Sequence, residues 1–597
     1  MENENENNYK FEIQKINLKN TQSFIPKKIN IFIGANNCGK TQVLKDILSY
    51  ITKKSKDNII VEDLEISNPS SWEEISTKYN MKVFNKFDGN EELRHISPTF
   101  DLDDNYNLST LQLSNTMNGW LLNDNRNFWK HVGAGLVTFL NTDNRLKLIM
   151  SQQSNNLREY GAKNVLEAVY LADTETLHCE ISNNVRKKIR EIFNTDIYLD
   201  TSNPGILQYR VGRDFSNISD KPQDSYKELS KYPLADDQGD GLRSALGIIS
   251  AISAVKRPII LLDEPEAFLH PPQALQLGKS IVNFIDNEKQ IFISTHSADF
   301  LRGLLSSDVN EFNNNIEIVH LNRNNDNNTE FKILDKEIVA KIIKDPLLSS
   351  SRVLEGMFYK GVVATEGDAD AVFYQRAFQK QYPSEEIHFV NAHNKQTLKK
   401  LIEPYKKLGI KFAMIADADV IRDTNEFKSI ISISDNEELK KSILDYRRNI
   451  LEYFQSKSKY DLCINLNNEI KKIILKEDSI TESNAQREIE NVRKKLKKLR
   501  EKSDELYEFK QKGQEALVDE QTKEKFNTLY EECSKIGLFI VKVGELESWL
   551  IDYDVQRISN KSKWISEALN KLSQINYEPN KNIWKFIDNL YNYFNSK

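Results

Sequence analysis

The stretch Gly34-Ala35-Asn36-Asn37-Cys38-Gly39-Lys40-Thr41 decides the fold of the first half of this 597-residue chain. It matches the pattern G-x-x-x-x-G-K-[ST] without a gap. The apolar run 29–33 before it predicts a buried strand, and residues 42–50 after it predict a helix. A strand, a glycine-rich loop and a helix in this order are the context that a phosphate-binding loop requires. The sequence therefore predicts an α/β domain with a nucleotide site near its start.

The residue types of this loop suit the binding of ATP with Mg²⁺. Glycines let backbone N–H groups turn toward the phosphates, and the helix N-terminus adds favourable partial charge. Lys40 is expected to reach the β- and γ-phosphates, and Thr41 to hold Mg²⁺ through its hydroxyl. The other loop residues expected at the nucleotide are Asn36, Asn37 and Gly39.

A second, acidic element agrees with this site. The apolar run 259–262 predicts a strand that ends in Asp263 and Glu264. Asp263 is expected to complete the Mg²⁺ shell, and Glu264 to polarise the attacking water. A loop at 238–244 opens a predicted helix before the acidic strand, and His296 follows a further predicted strand. This order resembles ABC-type ATPases, in which the loop would be the signature loop and the histidine would contact the γ-phosphate.

The second half carries a separate cluster of acidic residues at predicted strand ends. Glu366 follows the apolar run 361–365, and Asp417 and Asp419 follow the run 412–416. Side chains two apart on a strand share a face, so both aspartates are expected to meet one metal ion. Clustered carboxylates repel one another without a cation, and they bind Mg²⁺ or Mn²⁺ through oxygen. This half resembles a TOPRIM domain in the order of its elements. A strand followed by Glu-Gly comes first, then an α/β unit, and then a strand followed by D-x-D.

An ABC-type ATPase followed by TOPRIM in one chain resembles the OLD (overcoming lysogenisation defect) family. This family includes the nuclease subunit of the Gabija anti-phage system and retron-associated OLD proteins. The resemblance implies an ATP-hydrolysing, divalent-metal-dependent DNA endonuclease that forms homodimers or higher homo-oligomers through the ATPase half. It also implies a role in phage defence, with a helicase-like subunit or a retron reverse transcriptase and its DNA as possible partners.

The resemblance implies roles for individual residues as well. The metal ligands that it implies are Glu366, Asp370, Asp417, Asp419 and Glu547. The first two would hold one ion, the aspartates of D-x-D would be core ligands, and the last would complete the second site. Lys561 or Lys563, which precede a predicted helix, would be the catalytic lysine. Each of these lysines could equally be a solvated surface residue.

The chain is expected to divide into three segments. An ATPase domain covers 1–330 and contains a helical, dimerising insertion at about 150–230; linker helices cover 331–360; a TOPRIM domain covers 361–597. Within the last, residues 432–534 are rich in lysine and glutamate and predict a solvated helical insertion. This long insertion, and Asn394-Lys395 in place of a glycine-rich turn, depart from the family pattern and leave substrate and partner open.

Composition limits the remaining function classes. The formal net charge is −6, so contact with DNA must come from a local basic patch. Four widely spaced cysteines without a C-x-x-C argue against a zinc ribbon or a disulfide framework and fit a reducing cytoplasm. The most apolar stretch, about 245–255, is too short to span a bilayer, so no membrane contact is expected.

One rival interpretation stays open. A DNA-repair or structural ATPase of RecF or SMC type could carry a TOPRIM half that binds DNA without cleaving it. The intact D-x-D argues against it, and a metal-dependent cleavage assay decides between the two. A topoisomerase or a primase is less expected, because neither a strand-passing tyrosine domain nor a zinc-binding cysteine cluster can be recognised.

Overall fold

A computed structural model divides the chain into two compact units, Met1–Phe358 and Tyr359–Lys597. It describes residues 9–53, 58–79, 81–85, 91–94, 106–107, 113–154, 162, 164–175, 179–219, 221–283, 288–306, 315–323, 329–334, 338, 341–342, 344–456, 459–473, 485–558 and 561–596. Among the helices described there, none is long and apolar enough to cross a membrane.

The first unit is built on a six-stranded sheet. Its strands in spatial order are Thr329–Ile333, Ile316–Arg323, Ile29–Ile33, Gln290–Ser294, Ile259–Asp263 and Val137–Leu140. The last five are parallel, and Thr329–Ile333 pairs antiparallel at one edge. The central strands are buried along their whole length, which explains their continuous runs of isoleucine, leucine and phenylalanine. Because they are parallel, their carboxyl ends meet at one edge, and the phosphate-binding loop leaves from that edge.

Smaller sheets and helices surround this sheet. One antiparallel sheet contains Ser23–Phe24, Ile13–Leu18 and Val61–Ile66, and another contains Lys82–Asn85, Glu91–Arg94 and Tyr106–Asn107. The helices are Lys40–Thr52, Trp72–Lys78, Leu113–Asn123, Asn125–Val132, Thr142–Arg145, Val165–Glu175, Glu180–Phe193, Pro222–Leu229, Asp240–Ala254, Pro271–Val282, Ala298–Leu304 and Ser351–Glu355.

The region 150–230 is mixed rather than helical, which differs from the sequence prediction. Helices Val165–Glu175 and Glu180–Phe193 pack on Asp240–Ala254, and part of the predicted insertion lies outside the described residues. The other element is a small antiparallel sheet, whose strands are Asp196–Asp200, Ile206–Gly212 and Gln152–Gln153. Its strands are short and do not alternate between buried and exposed residues, so they lack the period of two by which a half-buried strand is predicted.

The end of the first unit also differs from the expected boundary at 330. Thr329–Ile333 belongs to the central sheet, because it pairs with Ile316–Arg323. Beyond it, Ser351–Glu355 packs on Ala298–Leu304. Part of the expected linker is therefore integral to the first unit.

The second unit is built on four parallel strands. Their spatial order is Ile387–Asn391, Gly361–Thr365, Lys411–Ala416 and Leu538–Ile540. The helices are Asp368–Gln381, Lys395–Leu408, Thr424–Ile431, Glu437–Ser456, Lys459–Lys471, Ala485–Lys502, Tyr507–Lys512, Glu520–Lys535, Lys561–Gln574 and Asn582–Asn595. Five of them, from Glu437 to Lys535, form a helical insertion between the last two strands.

Aromatic packing fixes the helices of the second unit around the sheet. Tyr374 lies against Phe586, and its hydroxyl accepts a hydrogen bond of 2.7 Å from Trp549 Nε1. Phe373 packs on Trp564 with ring centroids 5.7 Å apart. Each buried aromatic ring removes a large apolar area from water and stabilises the fold by ~1.5–3 kcal/mol. This packing holds Asp368–Gln381 against Lys561–Gln574, and both helices begin at the carboxyl ends of the strands.

Candidate active sites

The phosphate-binding loop folds as the sequence predicts, between the strand Ile29–Ile33 and the helix Lys40–Thr52. Two of its glycines have positive φ, 143° at Gly34 and 105° at Gly39. A Cβ at Gly34 would stand 2.3 Å from the carbonyl oxygen of Leu321, so any side chain there would displace the backbone. The helix begins at Lys40, two residues earlier than predicted.

A cavity of about 650 Å³ opens beside this loop. The predicted residues that line it are Asn36, Asn37, Gly39, Lys40, Thr41, Glu264 and His296. Lys40 is buried, and its Nζ donates to the carbonyl oxygens of Gly34 at 2.9 Å and Ala35 at 2.8 Å. Burial lowers the pKa of this ammonium. The loop therefore holds a desolvated lysine whose backbone partners a nucleotide phosphate can replace.

The predicted Mg²⁺ ligands also come together. Thr41 Oγ1 donates to Asp263 Oδ1 at 2.8 Å, and Ser294 Oγ donates to the same oxygen. Glu264 follows directly with φ 47°, and its Oε1 lies 3.5 Å from His296 Nε2. The donor set of one hydroxyl and one carboxylate beside a phosphate-binding loop fits Mg²⁺ carried by ATP.

Two residues support this arrangement without having been predicted as site residues. Arg145 is fully buried, and its two terminal nitrogens donate to the carbonyl oxygens of Asp263 and Glu264, both at 2.7 Å. Glu266 Oε1 accepts from the N–H of His296 and from Thr295 Oγ1, both at 2.8 Å. Arg145 thus fixes the backbone of Asp263 and Glu264, and Glu266 fixes that of His296. Arg145 lies 118 residues before Asp263, and no local pattern marks it.

The predicted signature loop caps the helix Asp240–Ala254, as the sequence suggests. Gly239 stands at its N-cap, and a Cβ at Gly241 would approach the carbonyl oxygen of Phe268 to 2.7 Å. Phe268 itself has φ 72° and is 49% exposed. The loop and this phenylalanine therefore form one surface of the first unit.

Three of the predicted carboxylate ligands of the second unit, Glu366, Asp370 and Asp417, line another cavity, of about 570 Å³, whereas Asp419 and Glu547 are not part of its lining. Glu366 and Asp417 lie directly after adjacent parallel strands, and the Asp417 N–H donates to Glu366 Oε1 at 3.0 Å. Asp370 stands in the first turn of Asp368–Gln381 and is buried. A Cβ on Gly367 would lie 2.9 Å from Asp370 Oδ2, which explains the glycine after the glutamate.

The prediction that strand alternation places both aspartates of D-x-D on one face is wrong. The strand Lys411–Ala416 ends before Asp417, and Asp419 lies in the 3₁₀ turn Ala418–Ile421. Asp419 is instead held by two lysines: Lys395 Nζ contacts Oδ1, and Lys510 Nζ lies 3.1 Å from Oδ2. A 3₁₀ turn replaces the pleat here, so strand alternation does not set the side-chain directions, although Asp419 still lies near enough to raise the pKa of Asp417.

Lys395 was noted in the sequence only as a departure from the glycine-rich turn. Asn394 caps its helix by accepting from the Thr397 N–H at 3.0 Å. That cap places Lys395 at the first helical position, from which Nζ reaches Asp419 and lies 3.8 Å from Glu366 Oε1. Among the described residues, no three His, Cys, Asp or Glu side chains already converge on one ion position.

The electrostatics of the cluster nevertheless suit a divalent cation. Burial, opposed by Lys395, raises the pKa of Glu366 to about 7. Burial and the neighbouring Glu366 and Asp370 carboxylates raise the pKa of Asp417 well above its usual range. Glu547 is buried in the turn Leu546–Ser548, and its Oε2 has no hydrogen-bond partner in the part of the chain that is described. Buried oxygen donors that resist ionisation without a counter-charge fit Mg²⁺ or Mn²⁺.

The structure distinguishes the two candidate lysines. Both lie in the first turn of Lys561–Gln574, rather than before the helix as predicted, and only Lys561 lines the described cavity. Burial lowers the pKa of Lys561, but the carboxylates of Asp370 and Glu547 outweigh it and the pKa ends above its usual value. Lys561 therefore faces the acidic cluster.

Comparisons with known proteins agree with this two-part architecture. The AAA ATPase domain model matches residues 136–301, and the TOPRIM domain model of overcoming lysogenization defect-like proteins matches residues 357–419. The first match includes Asp263, Glu264 and His296, and the second runs from before Glu366 to Asp419. The phosphate-binding loop, Glu547 and Lys561 lie outside both.

Individual relatives are distant. An ATP/GTP phosphatase of Helicobacter pylori is 24% identical over 327 residues, which cover 48% of this chain and 86% of that protein. The Old nuclease of Escherichia phage P2 is 23% identical over 320 residues, which cover 48% of this chain and 51% of that protein. A crystal structure of the Smc head bound to the C-winged helix domain of ScpA aligns at 14% identity and TM-score 0.33, covering 55% of this chain and 99% of that one. The chain thus carries an AAA ATPase domain followed by a TOPRIM domain of the overcoming lysogenization defect-like type.

Proposed function

We propose that this protein is an ATP-hydrolysing, divalent-metal-dependent DNA endonuclease. One observation carries the proposal: three carboxylic acids, buried or half-buried, line a single cavity with two lysines at the carboxyl ends of parallel strands. The acids are Glu366, Asp370 and Asp417, and the lysines are Lys395 and Lys561. A buried acidic cluster that only stabilised the fold would be unfavourable, because desolvation and mutual repulsion both oppose its ionisation.

The geometry supports a division of roles at this site. Hydrolysis of a phosphodiester requires stabilisation of charge on the phosphoryl oxygens, which divalent metal ions supply when bound. Glu366 and Asp417 would hold such an ion, and Asp370 with Glu547 would complete the ligand set. Lys561 would donate to a nonbridging or leaving oxygen, and its carboxylate neighbours keep it protonated. Lys395 would keep Asp419 ionised and oriented.

The ATP site supports a separate cycle of binding and hydrolysis. Lys40 would exchange the carbonyl oxygens of Gly34 and Ala35 for nucleotide phosphates. Glu264 would orient the attacking water, with its backbone held by Arg145. The direct test is Lys40→Ala, which should lose ATP affinity in equilibrium binding because the phosphate charge is left unpaired. Unchanged affinity would remove the loop from the nucleotide site.

The nuclease activity is tested with purified protein on plasmid, linear and single-stranded DNA. Cleavage should require Mg²⁺ or Mn²⁺, stop with EDTA and return when metal is restored in excess. Reactions with and without ATP show whether the nucleotide activates or restrains cleavage. DNA binding without cleavage under every condition would favour the rival, a RecF- or SMC-like repair ATPase whose TOPRIM half only binds.

We also propose that ATP closes two copies of the first unit around the predicted signature loop. At the start of the loop Gly239 and Asp240 are exposed, and Phe268 is exposed beside it, so a second copy could cover this surface over its bound nucleotide. Trapping ATP in Glu264→Gln should raise the mass measured by light scattering to that of a dimer or a larger assembly. A monomer with ATP bound at every concentration would contradict this.

The family resemblance supports a further proposal, that cleavage serves phage defence. Cells that express the protein, with a helicase-like or reverse transcriptase partner if one is required, should form fewer phage plaques. Cells that express Asp417→Ala should form the same number as cells without the protein. Equal protection by both would separate defence from nuclease chemistry.

A further inference from the structure

One helix of the TOPRIM insertion is strongly basic in a chain that is acidic as a whole. Ala485–Lys502 contains eight lysines and arginines and three glutamates, whereas the full chain has a net charge of −6. The concentration of charge matters because binding to phosphates depends on local rather than net charge. This helix, here called the basic helix, is not part of either active site.

The charges of the basic helix face water. Six of its basic side chains are described, and all six are exposed: Arg487, Arg493, Lys494, Lys495, Lys497 and Arg500. None of these six forms an ion pair with a described carboxylate. Neighbouring helices of the same insertion behave differently, since Lys440 pairs with Glu437 and Lys523 with Glu520 on their own surfaces. The basic helix therefore presents charge that the described residues around it do not neutralise.

The apolar residues of the basic helix lie along one side, which leaves a broad face for the basic residues. Ile489, Val492, Leu496 and Leu499 recur at spacings of three and four, which places them along one side. The basic residues occupy most of the remaining circumference. At 1.5 Å per residue the 18-residue helix is about 27 Å long, the length of about eight base pairs of duplex DNA.

The insertion is anchored beside the carboxylate cluster. Lys510, in the helix that follows the basic helix, lies 3.1 Å from Asp419 Oδ2. Arg422, three residues after Asp419, pairs with Asp504. The buried Arg447 donates to the carbonyl oxygen of Ile421 at 2.7 Å. A ligand held by the basic helix would therefore be coupled, through a few residues of chain, to the proposed metal site.

We propose that the basic helix binds the phosphate backbone of duplex DNA and directs it to the carboxylate site. The proposal rests on the proposed nuclease function. It adds a surface that supplies affinity for DNA through phosphate contacts, which do not recognise the base sequence. A second copy of the same helix is the competing occupant, because its apolar side could form a coiled coil. Like charges on two such helices would oppose that pairing, so the charge favours DNA.

The test compares two fourfold substitutions, both in an Asp417→Ala background so that DNA is not cut. One carries R493Q, K494Q, K497Q and R500Q in the basic helix. The control carries R213Q, K221Q, K227Q and K231Q, which removes the same charge from exposed positions of the first unit. Binding of a labelled duplex of about 30 base pairs is measured by fluorescence anisotropy over a range of salt concentrations, without divalent metal.

We expect the basic-helix variant to bind at least tenfold more weakly, and the control to bind within twofold of the Asp417→Ala parent. The slope of log affinity against log salt should become shallower by about 3–4, since each phosphate contact contributes ~0.9. Equal affinity and slope in both variants would overturn the proposal. So would a change of oligomeric mass in the basic-helix variant with unchanged DNA affinity, which would identify a protein interface instead.

The outcomes also separate this proposal from the nuclease function. If the unsubstituted protein never cleaves DNA but its binding depends on the basic helix, the nuclease proposal fails and the DNA surface stands. If the unsubstituted protein cleaves DNA and the basic-helix variant binds DNA as well as the control, the proposal about the basic helix fails and the nuclease proposal is retained. Circular dichroism and melting temperature verify that each variant is folded, as expected for substitutions at exposed positions.

Discussion

The nucleotide site and the carboxylate site both gather acidic side chains at the carboxyl ends of parallel strands, but they balance the charge differently. Around Asp263 the partners are the hydroxyls of Thr41 and Ser294, while Lys40 is satisfied by backbone carbonyls. Around Asp419 the partners are the ammonium groups of Lys395 and Lys510. At the first site the distant cation Arg145 binds only backbone carbonyl oxygens, whereas at the second site the distant cations pair with a carboxylate itself.

This difference has a consequence for function. At the first site a nucleotide can take over the backbone partners of Lys40 without breaking an ion pair, because Lys40 and Asp263 are both held by neutral groups. A site held by lysines against several carboxylates responds to any cation that enters, because the added charge redistributes the existing pairs. Substitutions should therefore change chemistry alone at the first site, and chemistry together with stability at the second.

Among the substitutions that test this difference between the two sites, Glu264→Gln is expected to have the largest effect, which is on ATP turnover. The substitution keeps shape and hydrogen bonding but removes the negative charge that orients the attacking water. ATP turnover should fall by about 10²–10⁴-fold, the usual contribution of a general base, while ATP binding and melting temperature stay unchanged. ATP turnover is measured as phosphate release, and ATP affinity is measured in a nucleotide-binding assay.

Glu62→Gln, at an exposed position of the strand Val61–Ile66, is the matched control and should keep parental turnover. If Glu264→Gln hydrolyses ATP at the parental rate, another group orients the water.

A smaller effect is expected when Lys561→Met is compared with Lys563→Met in the same helical turn. Lys561 lines the carboxylate cavity, so its loss should lower the rate of DNA cleavage by about 10²-fold, typical for one charge-stabilising donor. Lys563→Met should cleave at close to the parental rate. The reverse order of effects would transfer the catalytic role to Lys563.

The smallest effect is expected on the stability of the second unit. Lys395→Gln removes the cation from Asp419 and Glu366, so in EDTA the melting temperature should fall by a few degrees, at about 2–4 °C per kcal/mol. Added Mg²⁺ or Mn²⁺ should restore more of the loss than it adds to the parent, because the metal supplies the missing charge.

Lys407→Gln on the same helix, which removes an exposed pair with Glu403, is the control and should change little in either condition. Identical metal-induced shifts in Lys395→Gln and in the parent would mean that the lysine does not compensate the cluster.

The sequence predicted the nucleotide site well because its determinants are local. The strand Ile29–Ile33, the loop and the helix form one continuous pattern, and the helix differs only in being two residues longer at each end than predicted. Arg145 could not be predicted, since it acts on the carbonyl oxygens of Asp263 and Glu264 from a distant helix. A residue that binds backbone atoms of a distant segment can bind them whatever their side chains are, so no sequence motif includes it.

The carboxylate site was predicted by residue type but not by geometry. The strand-end positions of Glu366 and Asp417 follow from buried apolar runs, which are visible in the sequence. The turn that carries Asp419 away from the strand is not visible, because D-x-D has no glycine or proline to mark it. Lys395 and Lys510 reach the site from separate helices, so only the folded chain brings them there.

The most direct test of the account compares Asp417→Ala with the parent on the same DNA, in Mg²⁺ and in EDTA. Asp445→Ala, at an exposed position of the helical insertion, controls for the loss of an aspartate. We expect the parent and Asp445→Ala to cleave in Mg²⁺, and Asp417→Ala to show no cleavage while remaining folded and binding ATP. Equal cleavage by Asp417→Ala and the parent would contradict the carboxylate site as the nuclease centre.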